Sequence, residues 1–383
     1  MEVKTLNNIN RAGLNFLLEK GCSIDKSLNP KIMLLRSHKL LLSEIATSVI
    51  VIARAGAGTN NIPVSDLTNL GIPVINTPGA NASAVRDLVF GSIITYNRNL
   101  IQAAQIINTS NLADIEQLKK AYTGYELNGK TMLIIGLGAI GRLVAKTAIS
   151  FGINVFGFDP VITKDDKNYL IKVGVNILES LADACKQADI ITIHVPFNNE
   201  TKNLFNQDLI RICKDSSLIL NFSRTGIVDD KAITNAIKLQ KIRGYITDFP
   251  NTHTIINNQQ NIMNLPHIGA ATNESEAQCA LIAARKSWEY IAYGSISSSV
   301  NFPTIKLGEP TSPRLCIIHS NTPKMLGQIT NLIAKKNINI NNLHNDSRAE
   351  LAYTVIDLSQ TISENIFQEI KGVIKVRMMP CKS

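Results

Sequence analysis

The feature that most constrains this chain is a glycine pattern set between a predicted strand and a predicted helix. Gly136, Gly138 and Gly141 form a GxGxxG motif directly after the apolar run Thr131 to Ile135. Such a motif uses its first glycine for a tight turn, its second for close approach to a pyrophosphate, and its third for packing of helix on strand. It predicts a dinucleotide-binding βαβ unit, with phosphates at the helix start near Ala139.

An acidic residue follows at a suitable distance. Asp159 comes after the next predicted strand and stands 23 positions beyond Gly136. A carboxylate about 20 residues after such glycines holds the adenosine ribose, and it would repel a 2′-phosphate. The cofactor predicted here is therefore NAD, contacted by Asp159 and by the helix-start residues Ala139 and Ile140. No spacing of Cys and His suits a metal, so no metal site is predicted.

Short apolar runs alternate with helical stretches through much of the chain, which is typical of an α/β fold with a parallel sheet. The predicted strands are Ile32 to Leu35, Val49 to Ala53, Val74 to Asn76, Thr131 to Ile135, Asn154 to Phe158, Ile190 to His194, Ser217 to Asn221 and Arg243 to Thr247. A linker rich in Pro, Gly, Thr and Ser follows near residues 301–313. After it, the order strand, helix, two strands, helix, strand predicts a ferredoxin-like domain.

Composition excludes several classes of protein. The 383 residues are 45% hydrophobic and 18% charged, which excludes wholesale disorder and suits two or three domains. No apolar run is long enough to cross a membrane, and no targeting segment is visible, so we expect a cytoplasmic protein. The net charge of +9 is dispersed, which argues against nucleic acid as a partner. Six scattered cysteines are interpreted as reduced thiols.

Two cationic or basic side chains follow predicted strands at positions suited to hydride chemistry. Oxidation of an alcohol needs a base for the hydroxyl proton and a cation that holds a carboxylate. Arg224 follows the strand that ends at Asn221, and His267 lies in the turn Pro266-His267-Ile268-Gly269. A lone His or Arg is usually structural, so this hypothesis depends on the whole ordered set.

That ordered set resembles the D-2-hydroxyacid dehydrogenases, and within them those that oxidise 3-phospho-D-glycerate to 3-phosphooxypyruvate at the entry to L-serine synthesis. The resemblance rests on 54-RAGAGTNNI-62, 76-NTPGANA-82, the glycine motif, 194-HVP-196, 223-SR-224, Asp248 and 266-PHIG-269. It implies a Rossmann domain inserted into a flavodoxin-like substrate domain, followed by a regulatory domain. The implied boundaries are 1–97 with 282–305 for the substrate domain, 98–281 for the NAD domain and 306–383 for the regulatory domain.

The resemblance also implies roles for particular residues. His267 would be the general base and Arg224 would bind the carboxylate and carbonyl oxygen. Asp248 would lie near the nicotinamide carboxamide. His194 and Pro196 would contact the cofactor. The far end of the substrate would be held by Arg54, Gly79 and Asn81.

One departure from the family concerns the glutamate that normally orients the catalytic histidine. No Glu occurs between Asn251 and Pro266. Without that carboxylate, we expect His267 to be less basic and less well oriented. Asn251 and His253 are the hypothetical substitutes, by position alone.

The last segment resembles the ACT regulatory domain, which pairs side by side and often binds L-serine. The resemblance implies His319, Asn321 and Asn339 as effector-binding residues, and a homodimer or homotetramer. Lys324 stands where the family usually has Gly, so the alternative is an ACT fold kept only as an oligomer clamp.

Two other functions stay open at this point. One is a hydroxypyruvate or glyoxylate reductase of the same family, against which the ACT segment argues. The other is a non-catalytic scaffold that senses NAD or an amino acid, which the missing Glu favours.

Overall fold

The computed structural model describes residues 1–108, 115–256 and 261–379, which divide into two compact units. The first unit contains residues 1–81 and the chain from Asn273 onward, and the second unit is Ala82–Thr272. Each junction falls at the start of a helix. The division into three domains at 97, 281 and 305 stays a prediction.

The first unit contains a five-stranded parallel sheet in the order β2-β1-β3-β4-β5. Its strands are β1 (Glu2–Thr5), β2 (Ser23–Ile24), β3 (Ile32–Leu35), β4 (Val51–Arg54) and β5 (Val74–Ile75). The helices of this part are α1 (Arg11–Glu19), α2 (Val64–Asn69) and α12 (Asn273–Tyr293). This strand order is the flavodoxin-like one, as expected.

The sequence of the central strand β3 is an uninterrupted apolar run, and its burial shows why. All four of its residues are buried, and they belong alternately to two clusters on opposite faces of the sheet. A strand that is covered on both faces has no polar side, so its sequence does not alternate between apolar and polar residues.

The second unit contains a seven-stranded parallel sheet in the order β12-β11-β10-β9-β6-β7-β8. Its strands are β6 (Thr131–Ile135), β7 (Asn154–Phe158), β8 (Val175–Ile177), β9 (Ile190–Ile193), β10 (Leu218–Asn221), β11 (Gly244–Thr247) and β12 (Ile262–Asn264). Its helices are α3 (Ala82–Asn97), α4 (Leu100–Ile107), α5 (Ile115–Ala121), α6 (Ala139–Ser150), α7 (Lys164–Lys172), α8 (Leu181–Gln187), α9 (Gln207–Ile212), α10 (Asp230–Lys238) and α11 (Thr252–Ile256). The order reverses between β9 and β6, which is the Rossmann arrangement.

The C-terminal part of the first unit carries a four-stranded antiparallel sheet in the order β14-β15-β13-β16. Its elements are β13 (Arg314–Ser320), α13 (Met325–Lys335), β14 (Ile340–Arg348), β15 (Leu351–Leu358), α14 (Asn365–Gln368) and β16 (Val373–Met379). This is the predicted ferredoxin-like order, and it is compatible with an ACT domain.

All eight strands predicted in the α/β part are present, with ends shifted by no more than two residues. The strands that sequence reasoning missed are β1, β2, β8 and β12, each two to four residues long. Five cysteines are buried free thiols, and Cys381 lies outside the described residues. No helix in the described part of the chain is both long and apolar enough for a membrane span.

Candidate active site

The ends of six strands in the second unit form one row across the sheet. Cross-strand pairing joins, in order, Asn264, Thr247, Asn221, Ile193, Ile135 and Phe158. The predicted residues that follow these strand ends are, in the same order, His267, Asp248, Arg224, His194, Gly136 and Asp159. The structure therefore brings six predicted residues to one edge of one sheet. Open α/β sheets bind ligands at this edge, at the point where the strand order reverses.

The glycine turn has the geometry that a pyrophosphate requires. Gly136 has a φ of +92°, and a Cβ there would lie 2.7 Å from the carbonyl oxygen of His194. A Cβ on Gly141 would overlap the carbonyl oxygen of Gly136. Gly138 differs, because a Cβ there would meet no atom within 4 Å. Helix α6 begins directly after Gly138 without a side-chain cap, so its first amides are open to a phosphate. These features fit the pyrophosphate of NAD.

Asp159, which the sequence predicts as the ribose-binding acid, supports the glycine turn. Its Oδ2 accepts from the Leu137 amide at 2.9 Å and its Oδ1 accepts from the Val161 amide at 3.1 Å. Nearby, Arg142 donates to the Leu137 carbonyl at 2.7 Å and pairs with Asp166 at 2.6 Å. Arg142 is therefore a structural residue of the turn.

His194 lies in the centre of the row with its imidazole in the interior. Its Nε2 lies 2.9 Å from the Thr192 hydroxyl, and its Nδ1 is buried without a hydrogen-bond partner among the described residues. Burial lowers the pKa of His194 to about 3, so the ring is neutral at neutral pH. Pro196 follows it, and its carbonyl accepts from Thr201 at 2.6 Å.

Arg224 is held by the loop after β10. Asn221 donates to the Arg224 carbonyl at 3.0 Å, and Ser223 donates to the Ile193 carbonyl at 2.6 Å. The guanidinium donates to the Ser223 carbonyl at 2.6 Å, and no acidic side chain pairs with it in the described ranges. Burial lowers the pKa of Arg224 below its ordinary value. A half-buried cation without a counter-ion is suited to an anionic ligand.

Asp248 fixes the loop that carries His267. Its carboxylate accepts from the amides of Ile268 and Gly269, each at 2.7 Å, and only 2% of the residue is exposed. Burial raises the pKa of Asp248, and the two amides oppose this effect. Sequence reasoning expected Asp248 near the nicotinamide and missed this support of the loop.

His267 itself is exposed and takes a left-handed backbone conformation, with a φ of 58°. The Phe249 ring packs on its imidazole, with ring centroids 4.7 Å apart. The aromatic contact was also missed, because nothing in the sequence joins Phe249 to a turn 18 residues later.

The two hypothetical substitutes for the missing glutamate differ in their surroundings. Asn251 caps α11, and its Oδ1 accepts from the amides of His253 and Thr254 at 2.9 and 3.2 Å. His253 lies near Asp230, whose pKa is raised by burial and lowered in part by the His253 charge. Both side chains therefore have Asp230 as a neighbour, because the Asn251 side chain also lowers the pKa of that carboxyl group.

The three residues predicted for the far end of the substrate belong to the first unit. Arg54 ends β4, and its guanidinium donates to the carbonyls of Arg36 and Gly58 at 2.9 and 2.5 Å. Gly79 (φ +82°) and Asn81 lie in the turn after the adjacent strand β5, and the Asn81 Oδ1 is buried without a partner among the described residues. Neighbouring strand ends thus place these residues at one edge of the five-stranded sheet.

Two of the three predicted effector residues, His319 and Asn321, line the same cavity. A cavity of about 220 Å³ is lined by His319, Asn321, Lys324 and Asn345, among others. His319 is buried, and its ring nitrogens bond the Ser320 carbonyl at 2.9 Å and the Thr354 hydroxyl at 2.7 Å. Asn339 lies elsewhere and donates to Asn341 at 3.3 Å. Asn345, which lines the same cavity, was not among the residues predicted from the sequence.

Comparison with known proteins agrees with this geometry. Residues 90–269 match the family described as D-isomer specific 2-hydroxyacid dehydrogenase, NAD binding domain. The chain is 30% identical over 362 residues to the D-3-phosphoglycerate dehydrogenase of Haemophilus influenzae, covering 90% of this chain and 85% of that protein. It is 31% identical over 362 residues to the enzyme of the same name from Methanocaldococcus jannaschii, with 92% of this chain matched. The chain spans 65% of the length of that relative.

A solved structure is similar over most of the fold. The crystal structure of NAD⁺-bound 3-phosphoglycerate dehydrogenase from Entamoeba histolytica superposes with a TM-score of 0.64 and 25% identity, covering 79% of this chain and 98% of that one. The chain therefore belongs to the D-isomer specific 2-hydroxyacid dehydrogenases, among the D-3-phosphoglycerate dehydrogenases, and its cofactor is NAD.

Proposed function

We propose that this chain oxidises 3-phospho-D-glycerate to 3-phosphooxypyruvate, the first step of L-serine synthesis, with His267 as the base and Arg224 as the carboxylate clamp. The observation that carries this proposal is the row of strand ends, because it puts both residues at the edge that bears the glycine turn. Bound NAD supplies the hydride acceptor. The domain boundaries predicted from the sequence belong to the same proposal.

His267 would take the proton of the C2 hydroxyl at an imidazole nitrogen as the hydride leaves C2. The Asp248 carboxylate fixes the backbone after His267, and the Phe249 ring limits the rotation of the imidazole. Both contacts reduce the number of orientations that the base can adopt. Asp248 would thus support the base in addition to its expected place near the cofactor.

Arg224 would hold the substrate carboxylate and polarise the forming carbonyl. Its lack of an acidic partner in the described ranges supports this role, because an anion would balance a half-buried charge. The phosphate end would fall to Arg54, Gly79 and Asn81. The Asn81 Oδ1 has no partner among the described residues, and as an acceptor it suits a hydroxyl donor rather than an anion. We therefore expect the side-chain NH₂ group of Asn81 to donate to the phosphate.

His253 would replace the missing glutamate as the group that orients His267, with Asp230 as its acidic neighbour. The H253A variant tests this part of the proposal, with H344A as a control on an exposed histidine of β14. We expect H253A alone to change the pH profile of kcat. If the two profiles coincide with that of the unchanged protein, His253 has no such role.

The proposed function is tested by comparing substrates. We expect NADH formation with 3-phospho-D-glycerate and, in the reverse direction, slower turnover of hydroxypyruvate and glyoxylate. Turnover of the unphosphorylated acids alone would favour a reductase. NAD binding by calorimetry without turnover of any of the three would favour a scaffold.

We further propose that the protein is cytoplasmic, that it forms a homodimer or homotetramer, and that L-serine regulates it. The mass measured by light scattering tests the oligomeric state. Serine inhibition, measured on chains with and without residues 306–383, tests the regulation.

A further inference from the structure

A chain of hydrogen bonds crosses three neighbouring strands of the C-terminal sheet and ends at the cavity of about 220 Å³. Nε2 of His319, on β13, lies 2.7 Å from the hydroxyl of Thr354, on β15. That hydroxyl lies 2.8 Å from Oδ1 of Asn345, the residue opposite it on β14. His319 and Thr354 are buried, whereas Asn345 is exposed and lines the cavity. A buried imidazole is thus joined to an accessible carboxamide.

The other ring nitrogen of His319 fixes where a neutral imidazole carries its proton. Nδ1 lies 2.9 Å from the Ser320 carbonyl oxygen, and a carbonyl oxygen can only accept a hydrogen bond. The single proton of the neutral ring is therefore on Nδ1, and Nε2 is an acceptor. Burial lowers the pKa of His319, so the neutral ring is the form present at neutral pH.

A hydroxyl group has one proton, so the protonation of His319 decides the direction of the next bond. With a neutral ring, Thr354 donates to Nε2, and its oxygen is left to accept from the Asn345 NH₂ group. With a protonated ring, Nε2 donates to Thr354, and Thr354 donates to the Asn345 oxygen. The end of the carboxamide that is not bonded to Thr354 is therefore an oxygen in the first state and an NH₂ group in the second. Among the described residues, the Asn345 side chain makes no other hydrogen bond.

Charged side chains on the adjoining segments do not set the protonation of His319. Burial and the bond to the Ser320 carbonyl account for its lowered pKa, and no charged group contributes. The charged residues of those segments are Lys324 before α13, Asp346 and Arg348 on β14, Glu350 in the β14–β15 turn, and Lys371 and Lys375 before and on β16. The hydrogen-bonded path from His319 to the cavity therefore runs through Thr354 and Asn345.

We propose that Asn345 contacts the ammonium group of an α-amino acid in this cavity, and that the Thr354 hydroxyl couples this contact to the protonation of His319. With a neutral imidazole, the Asn345 oxygen accepts from the ammonium group. With a protonated imidazole, an NH₂ group takes the place of that oxygen, and the ligand loses the bond. Acid therefore weakens binding. This inference rests on the proposed regulation by L-serine, to which it adds a contact residue and a pH dependence.

Calorimetry of L-serine binding to the full chain at about pH 7 and about pH 5 tests the coupling, because the charges of serine itself stay the same over this range. We expect at least about threefold weaker binding at the lower pH. H344N, which changes an exposed histidine of the same strand β14, should show the same loss. Equal affinity at both pH values, or no binding at either, would overturn the proposal. NADH formation from 3-phospho-D-glycerate decides the enzymatic function separately.

Two variants locate the contact and the coupling. N345A should bind serine at least about tenfold more weakly at pH 7, because a bond to a charged group is lost. N341A, a matched change on the same strand outside the cavity, should bind normally. T354V removes the hydroxyl, so its affinity should no longer depend on pH. Normal binding by N345A, or the full pH dependence in T354V, would overturn the proposal.

Nuclear magnetic resonance of the full chain labelled with ¹⁵N-histidine reads the imidazole directly and needs no ligand. The signals of His319 are those that disappear in H319Q. We expect the proton of the neutral ring on Nδ1 at pH 7, with Nε2 taking up a second proton as the pH falls. A ring that carries its proton on Nε2 at pH 7, with none on Nδ1, would overturn the coupling whether or not serine binds.

Discussion

The Asp248 carboxylate accepts the Gly269 amide at 2.7 Å, and through this bond the end of β11 holds the turn that follows β12. The second carboxylate oxygen accepts the Ile268 amide at the same distance. The position of His267 therefore depends on a buried side chain 19 residues earlier in the chain. The loop that carries the proposed base is fixed by an acid that need not touch the substrate.

Replacing Asp248 tests this dependence. In D248N one of the two backbone amides would face an NH₂ group, because an amide has a single acceptor oxygen. We expect the free energy of unfolding to fall by about 2 kcal/mol and kcat to fall by at least about tenfold. Urea unfolding and initial rates check this, with D87N as an exposed control. A D248N protein with unchanged kcat would show that the loop does not need the carboxylate.

Two glycines of the turn, Gly138 and Gly141, should respond differently to replacement by alanine. G138A should fold with unchanged stability, because its Cβ meets no atom within 4 Å, yet it should bind NAD at least about tenfold more weakly by blocking the pyrophosphate. G141A should unfold more easily, because its Cβ would overlap the Gly136 carbonyl. Thermal unfolding with NAD calorimetry separates the two effects. Normal NAD affinity in G138A would show that the pyrophosphate does not bind at this turn.

His194 should make stability depend on pH. Its pKa is about 3 in the folded chain, against about 6.5 when unfolded, so below pH 6.5 the unfolded state takes up a proton that the folded state does not. This contribution to stability is present above pH 6.5 and is lost as the pH falls toward 3. Between about pH 7 and pH 5 the unchanged protein should lose about 2 kcal/mol more than H194N. H344N, at an exposed site, serves as the control, and equal slopes for H194N and the unchanged protein would contradict the prediction.

Lys324 has a left-handed backbone, with a φ of 68°, at the start of α13. Such a conformation costs a residue with a Cβ about 1 kcal/mol, so K324G should stabilise the chain by about that amount, while K324A should not. If serine uses the neighbouring cavity, K324G should also bind it more tightly, since a long cation leaves the rim. Equal stability of K324G and K324A would show that the backbone there is unstrained.

The sequence predicted well those elements whose pattern is local. β6 and β7 were predicted with their exact ends. The apolar run of β6 is followed by the glycine turn, and that of β7 is followed by Asp159. β8 and β12 were missed, because three residues at the edges of a sheet carry too little pattern and are defined by their neighbours. The order of the six site residues along the row also depends on strand pairing, which the sequence does not display.

The site was predicted as a set of residues, while several of their contacts were not. Arg224 was predicted because it follows a predicted strand end, and His267 because it lies in a short loop with small neighbours; the ordered set of family motifs supported both predictions. The support of His267 by Asp248 and Phe249 depends on how two loops approach each other. Likewise, the pairing of Arg142 with Asp166 arises only when distant segments pack together.

The H267Q variant tests most directly whether His267 is the base of an NAD-dependent oxidation. With saturating NAD and 3-phospho-D-glycerate, we expect NADH formation to fall at least about a hundredfold, while NAD affinity by calorimetry stays within about twofold and H344Q keeps the full rate. An H267Q protein that forms NADH at close to the original rate would show that His267 is not the base.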